Sequence, residues 1–149
     1  MKQFQFSLET VLDYKQQALS ALQTEHAAIL ALVRAQEAVL YSLEEQYSTT
    51  GSQFSREKLE GITMASALDY ERYLRVMEQK IREEQRQLDR LKHQEEDKRS
   101  EVVAARQDTS SLEKLREKKL EGYRKEVQKG EEAMIDELVS TARVMARLQ

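Results

Sequence analysis

The chain has no proline, no cysteine, no tryptophan and only four glycines in 149 residues. At the usual frequency of ~5% about seven prolines would be present, so few positions tolerate the loss of a backbone amide donor. So few turn residues exclude a fold of many short strands. The absence of cysteine removes disulfides and thiolate metal sites, and fits a reducing compartment. The longest apolar run, Ala27 to Val33, has seven residues, far below the ~20 that cross a bilayer. The opening Met1-Lys2-Gln3-Phe4 leads into no signal-like apolar core. A net charge of −3 leaves no electrostatic footprint for nucleic acid. The expectation is a cytoplasmic protein with no transmembrane segment, built as one elongated unit.

What the chain does have is charge, 34% of residues, and helical periodicity. Phe4 and Phe6 precede Ser7, which can cap a helix while Phe6 staples onto Val11. From Leu8 to about residue 47 the heptads are clear. Leu12, Leu19, His26, Val33, Leu40 and Tyr47 fall on one line, and Leu8, Lys15, Leu22, Ile29, Gln36 and Leu43 on the next. Val11, Ala18, Leu32 and Val39 widen the stripe beyond what one partner helix needs.

Ser48-Thr49-Thr50-Gly51-Ser52 breaks this pattern with low helix propensity, so residues 48–62 are expected to form the head of a hairpin. Within it Ser55 can cap a short helix, with Phe54 stapled onto Leu59; Gly61 ends that helix and Thr63 caps the next. The second helix, about 63–148, repeats the heptads with Leu74, Ile81, Leu88, Glu95 and Val102 on one line. Tyr70, Met77, Glu84, Leu91, Lys98 and Ala105 form the other. The fold class is therefore all-α: an antiparallel two-helix coiled coil with a longer C-terminal arm.

Pairing through that head sets Tyr47 against Tyr70, Leu43 against Leu74, Leu40 against Met77 and Gln36 against Ile81. Away from the head it sets Leu22 against Glu95 and Lys15 against Val102, so that end is expected to be looser. Phe6 then lies beside about Ser111, and the arm begins at Leu112; equal arms would need another register. Around residues 107–111 the heptads lose phase. Ser110 and Glu113 form a capping-box pattern there, which predicts a kink or restart. Beyond it, from 112 to 132, seven basic and six acidic residues alternate around an amphipathic stripe, a pattern shared by salt-bridged surface helices.

Catalytic patterns are absent: no phosphate-binding glycine loop, no His-Glu-x-x-His, and two isolated histidines, His26 and His93. Glu83-Glu84 and Glu95-Glu96 lie in charge-alternating helix without a cleft to shift them. No enzyme activity, cofactor or metal is expected. The residues point to work by binding, with Tyr41, Tyr73 and Met64 near the head divided between core and recognition.

The opening Phe4-Gln5-Phe6-Ser7-Leu8-Glu9-Thr10-Val11-Leu12-Asp13-Tyr14-Lys15 resembles the start of the FliJ family of flagellar export proteins. Leu112-Glu113-Lys114-Leu115, Tyr123, and Glu132 through Asp136-Glu137 are similar to that family's carboxy-terminal pattern, at matching length. The resemblance implies an antiparallel coiled coil like the stalk of rotary ATPases. Its partners would be an export ATPase ring (FliI-like), an export gate membrane protein (FlhA-like) and export chaperones. The place implied is the inner face of the cell membrane, peripherally bound.

The family's gate-contacting positions fall on Gln36, Leu40, Leu43, Tyr47, Tyr70, Leu74, Met77 and Ile81. Where the family has Phe, Ala and His, this chain has Tyr70, Met77 and Ile81. The rotary likeness places the ATPase contact on the early first helix and the arm, through charges such as Arg116, Lys119, Glu121 and Arg124. Two alternatives stand beside the stalk: a passive coiled-coil adaptor or chaperone-like protein, and the equivalent stalk of a virulence-type secretion system.

Overall fold

The computed structural model describes residues 2–149 and contains two helices, α1 (Glu9–Glu60, 52 residues) and α2 (Met64–Leu148, 85 residues). No strand occurs among the described residues. The helices pack antiparallel as a hairpin, on the faces the heptads mark. On α1, Leu12, Val33, Leu40 and Phe54 are buried; on α2, Met77, Leu88, Leu91, Val102 and Thr109 are. The seam residues between them are half-buried.

The chain forms two compact units, Ala21–Val103 and the pair Met1–Ser20 with Ala104–Gln149. In Ala21–Val103 the core is Val33, Leu40, Leu88 and Leu91, with Ile29 and Ile81 packed against it. The hairpin turn lies in this unit and is shorter than the expected head. Helix α1 runs through Ser48-Thr49-Thr50-Gly51-Ser52 and stops only at Glu60. Those five residues cost roughly 3 kcal/mol of helix propensity relative to alanine. Phe54 repays it, because continuing the helix puts its ring on the seam, 5% exposed and stacked on Tyr70 with centroids 4.9 Å apart. Burial of that ring is worth ~1.5–3 kcal/mol and the stack ~0.5–1.5 kcal/mol. Lys58 Nζ sits 3.8 Å over the ring centroid as well. Phe54 is therefore not stapled onto Leu59, which is 90% exposed, and no separate short helix forms. Gly61, with φ of 102°, ends α1. The Ser66 amide donates to Thr63 Oγ1 at 3.2 Å, so Thr63 caps α2 as its position suggests.

Moving the turn corrects the register. Tyr70 lies on Phe54, not Tyr47, a displacement of one heptad. A heptad seam presents the same faces after a shift of seven residues, so periodicity chose the faces while the turn chose the register.

The other unit shows the same one-heptad difference: Lys15, expected opposite Val102, has its carbonyl 3.4 Å from the Thr109 hydroxyl. Thr109 also donates to the Ala105 carbonyl at 2.8 Å. That satisfies its hydroxyl inside the helix, so a residue that reads as a phase break takes a buried seam position at 3% exposure. Helix α2 is continuous through 107–111 and does not restart at Ser110.

Residues 2–8 precede the first helix, which begins at Glu9, and lie along α2. Phe6 is buried, Phe4 meets Tyr123 with ring centroids 5.6 Å apart, and Tyr123 donates its hydroxyl to the Lys2 carbonyl at 2.6 Å. The uncovered arm thus begins after Val127, the last half-buried residue of α2, and not at Leu112.

Candidate functional site

All eight residues read as gate-contacting lie on the seam of the unit Ala21–Val103. Leu40 and Met77 are buried, at 7% and 3% exposure; Gln36, Leu43, Tyr47, Tyr70, Leu74 and Ile81 are half-buried. They are not paired with one another as expected. Gln36 Nε2 donates to the Glu84 carbonyl at 3.1 Å and also to the Glu84 carboxylate. The Tyr47 hydroxyl donates to Glu78 Oε1 at 2.7 Å, and that acceptor carboxylate, followed by burial, holds the Tyr47 phenol above its usual range. For Tyr70 burial comes first and the Glu57 carboxylate second, again upward. Each seam tyrosine is thereby kept neutral beside an acid of its own hairpin. Around these residues Val39, Tyr41, Tyr73 and Val76 are exposed, and they form the accessible apolar surface of this stretch.

Further along the same unit the seam is polar. His26 Nε2 lies 2.9 Å from Glu95 Oε1, Arg99 Nη2 donates to Glu95 Oε2 at 2.6 Å, and Lys98 Nζ bonds Glu25 at 3.0 Å and Glu101 at 2.8 Å. Arg99 first, and His26 after it, hold the Glu95 carboxyl down to about 2 against the opposing effect of burial. Glu101, then Glu25, raise the Lys98 ammonium. Heptad reading found His26, Glu95 and Lys98 as polar seam positions but matched Glu95 with Leu22. Only the register brings the histidine and the acid together.

In the unit Met1–Ser20 with Ala104–Gln149, a groove of about 910 Å³ runs between residues 2–7 and α2, lined by Phe4, Phe6, Leu115, Lys118, Lys119 and Tyr123 among others. The four charges assigned to an ATPase contact differ in freedom. Arg116 Nε donates to Glu9 Oε2 at 2.9 Å and stacks over Phe4, Lys119 lines the groove, Glu121 faces Lys125 at 3.8 Å, and Arg124 is exposed. Among the described residues no helix is long and apolar enough to cross a membrane, and no cluster of three or more metal-ligating side chains forms.

These observations define a two-helix antiparallel coiled-coil hairpin with exposed apolar residues beside its seam and an arm left uncovered after Val127. The family model described as flagellar FliJ protein matches residues 4–147, and the chain belongs to the FliJ family. Its role thus lies in flagellar protein export. No curated protein and no solved structure matches the chain.

Proposed function

We propose that the protein is the central stalk of the export ATPase ring and couples that ring to the export gate. It acts without catalysis or cofactor of its own, in the cytoplasm at the inner face of the membrane. The observation that carries this reading is the uncovered arm: every residue of α2 after Val127 is exposed. A helix free on all sides suits the bore of a ring. A stalk must meet several near-equivalent subunits in turn, and exposed charges of both signs in the turns that lead into the arm, such as Lys119, Glu121 and Arg124, allow that. A deep apolar plug would lock one position. The gate contact falls to the edges of the seam around Leu43, Tyr47, Tyr70 and Leu74, where half-buried residues adjoin exposed Val39 and Tyr73.

Titration into purified cognate ATPase tests the stalk. Stimulation is expected to saturate well below one copy per ATPase monomer, since one stalk serves one ring. Saturation only at equimolar monomer, or no stimulation, counts against it. The burial of Leu40 and Met77 favours a second reading, in which the heptads merely close a passive adaptor. That protein would bind export components without changing ATPase rate.

A further inference from the structure

Two rungs of the seam in the unit Ala21–Val103 are polar on both sides. Gln36 Nε2 donates to the Glu84 carbonyl at 3.1 Å and to the Glu84 carboxylate. Further from the turn, His26 Nε2 lies 2.9 Å from Glu95 Oε1, with side chains only 20% and 12% exposed, and Lys98 Nζ bonds Glu25 Oε2 at 3.0 Å beside them. What stands one heptad away from each is apolar. Seven residues either side of Gln36 are Ile29 and Leu43, and either side of Glu84, Met77 and Leu91. Seven either side of His26 are Leu19 and Val33, and either side of Glu95, Leu88 and Val102. A slip of α1 along α2 by one heptad, in either direction, therefore sets all four polar side chains against apolar ones, while Lys98 exchanges Glu25 for Ala18 or Leu32. In the register observed, no buried side-chain nitrogen or oxygen among the described residues lacks a partner. After a slip the same groups lie against carbon, partly shut off from water, and a polar group left so loses more than a satisfied pair gains.

We propose that the rungs Gln36–Glu84 and His26–Glu95, the latter with Lys98, are a register lock that holds the hairpin against one-heptad slippage. An apolar seam is blind to a shift of seven residues, and these rungs are not. Phe54 sets the register at the turn, and the rungs secure it a second time along the seam. The slip they oppose is the one open to the chain: residues 48–52 are poor helix formers, and unwinding them lengthens the turn until Tyr47 faces Tyr70. Leucines at the rung positions would pack at least as stably but would not tell the two registers apart. This lock goes beyond the proposed function and does not depend on it.

Double electron–electron resonance between spin labels on Gln46→Cys and Lys92→Cys, both exposed positions of a chain without other cysteines, reads the register. The slip adds seven residues, about 10 Å along the axis, to the offset between the labels. Diluting labelled into unlabelled protein restricts the reading to distances within one chain. Phe54→Ala removes the anchor at the turn. With the native rungs this variant is expected to keep the single distance of the parent chain. With His26→Leu, Gln36→Leu, Glu84→Leu, Glu95→Leu and Lys98→Leu added, a second population at the longer distance is expected, about a tenth of the molecules or more. Circular dichroism is expected to show the same helix content in both, with the leucine variant melting no lower. An unchanged single distance in the leucine variant overturns the proposal, because the rungs then add nothing to the turn. So does the longer distance appearing while the native rungs are in place, or a leucine variant that loses helix or melts lower, which would assign the rungs to stability alone.

Discussion

Glu95 carries the largest electrostatic perturbation on the seam, and its consequence for stability has a definite sign. A carboxyl held at about 2 by Arg99 and His26 favours the folded state above the unfolded value near 4.5. That contribution is lost as pH falls from about 4.5 toward 2. Thermal melts by circular dichroism are expected to show a fall in Tm across this window, and Glu95→Gln is expected to flatten it. The two seam tyrosines separate in another way. Tyr70 carries the stack on Phe54, so Tyr70→Ala is expected to cost about 2 kcal/mol. Tyr47→Ala loses a half-buried ring and one hydrogen bond, about 1 kcal/mol. Melts beside gate binding distinguish the roles: under the proposed function Tyr47→Ala weakens gate binding more than it weakens folding. A gate affinity that merely follows stability assigns Tyr47 to the seam alone.

At the scale of elements, two glycines ten positions apart behave oppositely. Gly51 lies inside α1, and a Cβ there would meet nothing within 4 Å. Gly51→Ala is therefore expected to stabilise by about 1 kcal/mol. Gly61 has φ of 102°, a conformation that strains any side chain, so Gly61→Ala is expected to destabilise by about 1 kcal/mol. Chemical denaturation at constant slope measures both. If Gly51→Ala destabilised instead, the uninterrupted course of α1 through residues 48–52 would be in question, and with it the one-heptad shift.

For the molecule as a whole, the covering of α2 by residues 2–9 decides where it can be shortened. A cut at Ser111 would strip Phe4 and Glu9 of Tyr123 and Arg116. A cut after Val127 removes only exposed residues. The protein ending at Val127, which keeps Lys119, Glu121 and Arg124 but lacks the helix that is free on all sides, is expected to keep its melting temperature and its gate binding while losing most of its ATPase stimulation. Stimulation by the full chain is expected to fall as salt rises from 50 to 300 mM, about the range over which the Debye length shrinks below 10 Å. Full stimulation by the shortened chain would remove the arm from the ATPase contact. Loss of gate binding instead would reverse the assignment of the two surfaces.

Residue order alone determined the fold class, the two seam faces, Gly61 as a helix stop and Thr63 as the cap of α2, because heptad spacing and capping are local; that the helix Gly61 stops is α1 itself, and not a separate short one, was outside it. It also carried the family, through motifs near both termini. Register was beyond it. A seam repeating every seven residues is blind to a shift of seven, and the decision fell to Phe54, whose burial on Tyr70 carried α1 through five poor helix formers. Thr109 was misread for a different reason: its hydroxyl is satisfied by a carbonyl one turn back, which spacing does not reveal. The pairing of His26 with Glu95, the extent of the uncovered arm and the covering of α2 by residues 2–8 all followed from where the turn lay. Tertiary contacts chose among arrangements that local propensity ranked within a few kcal/mol of one another.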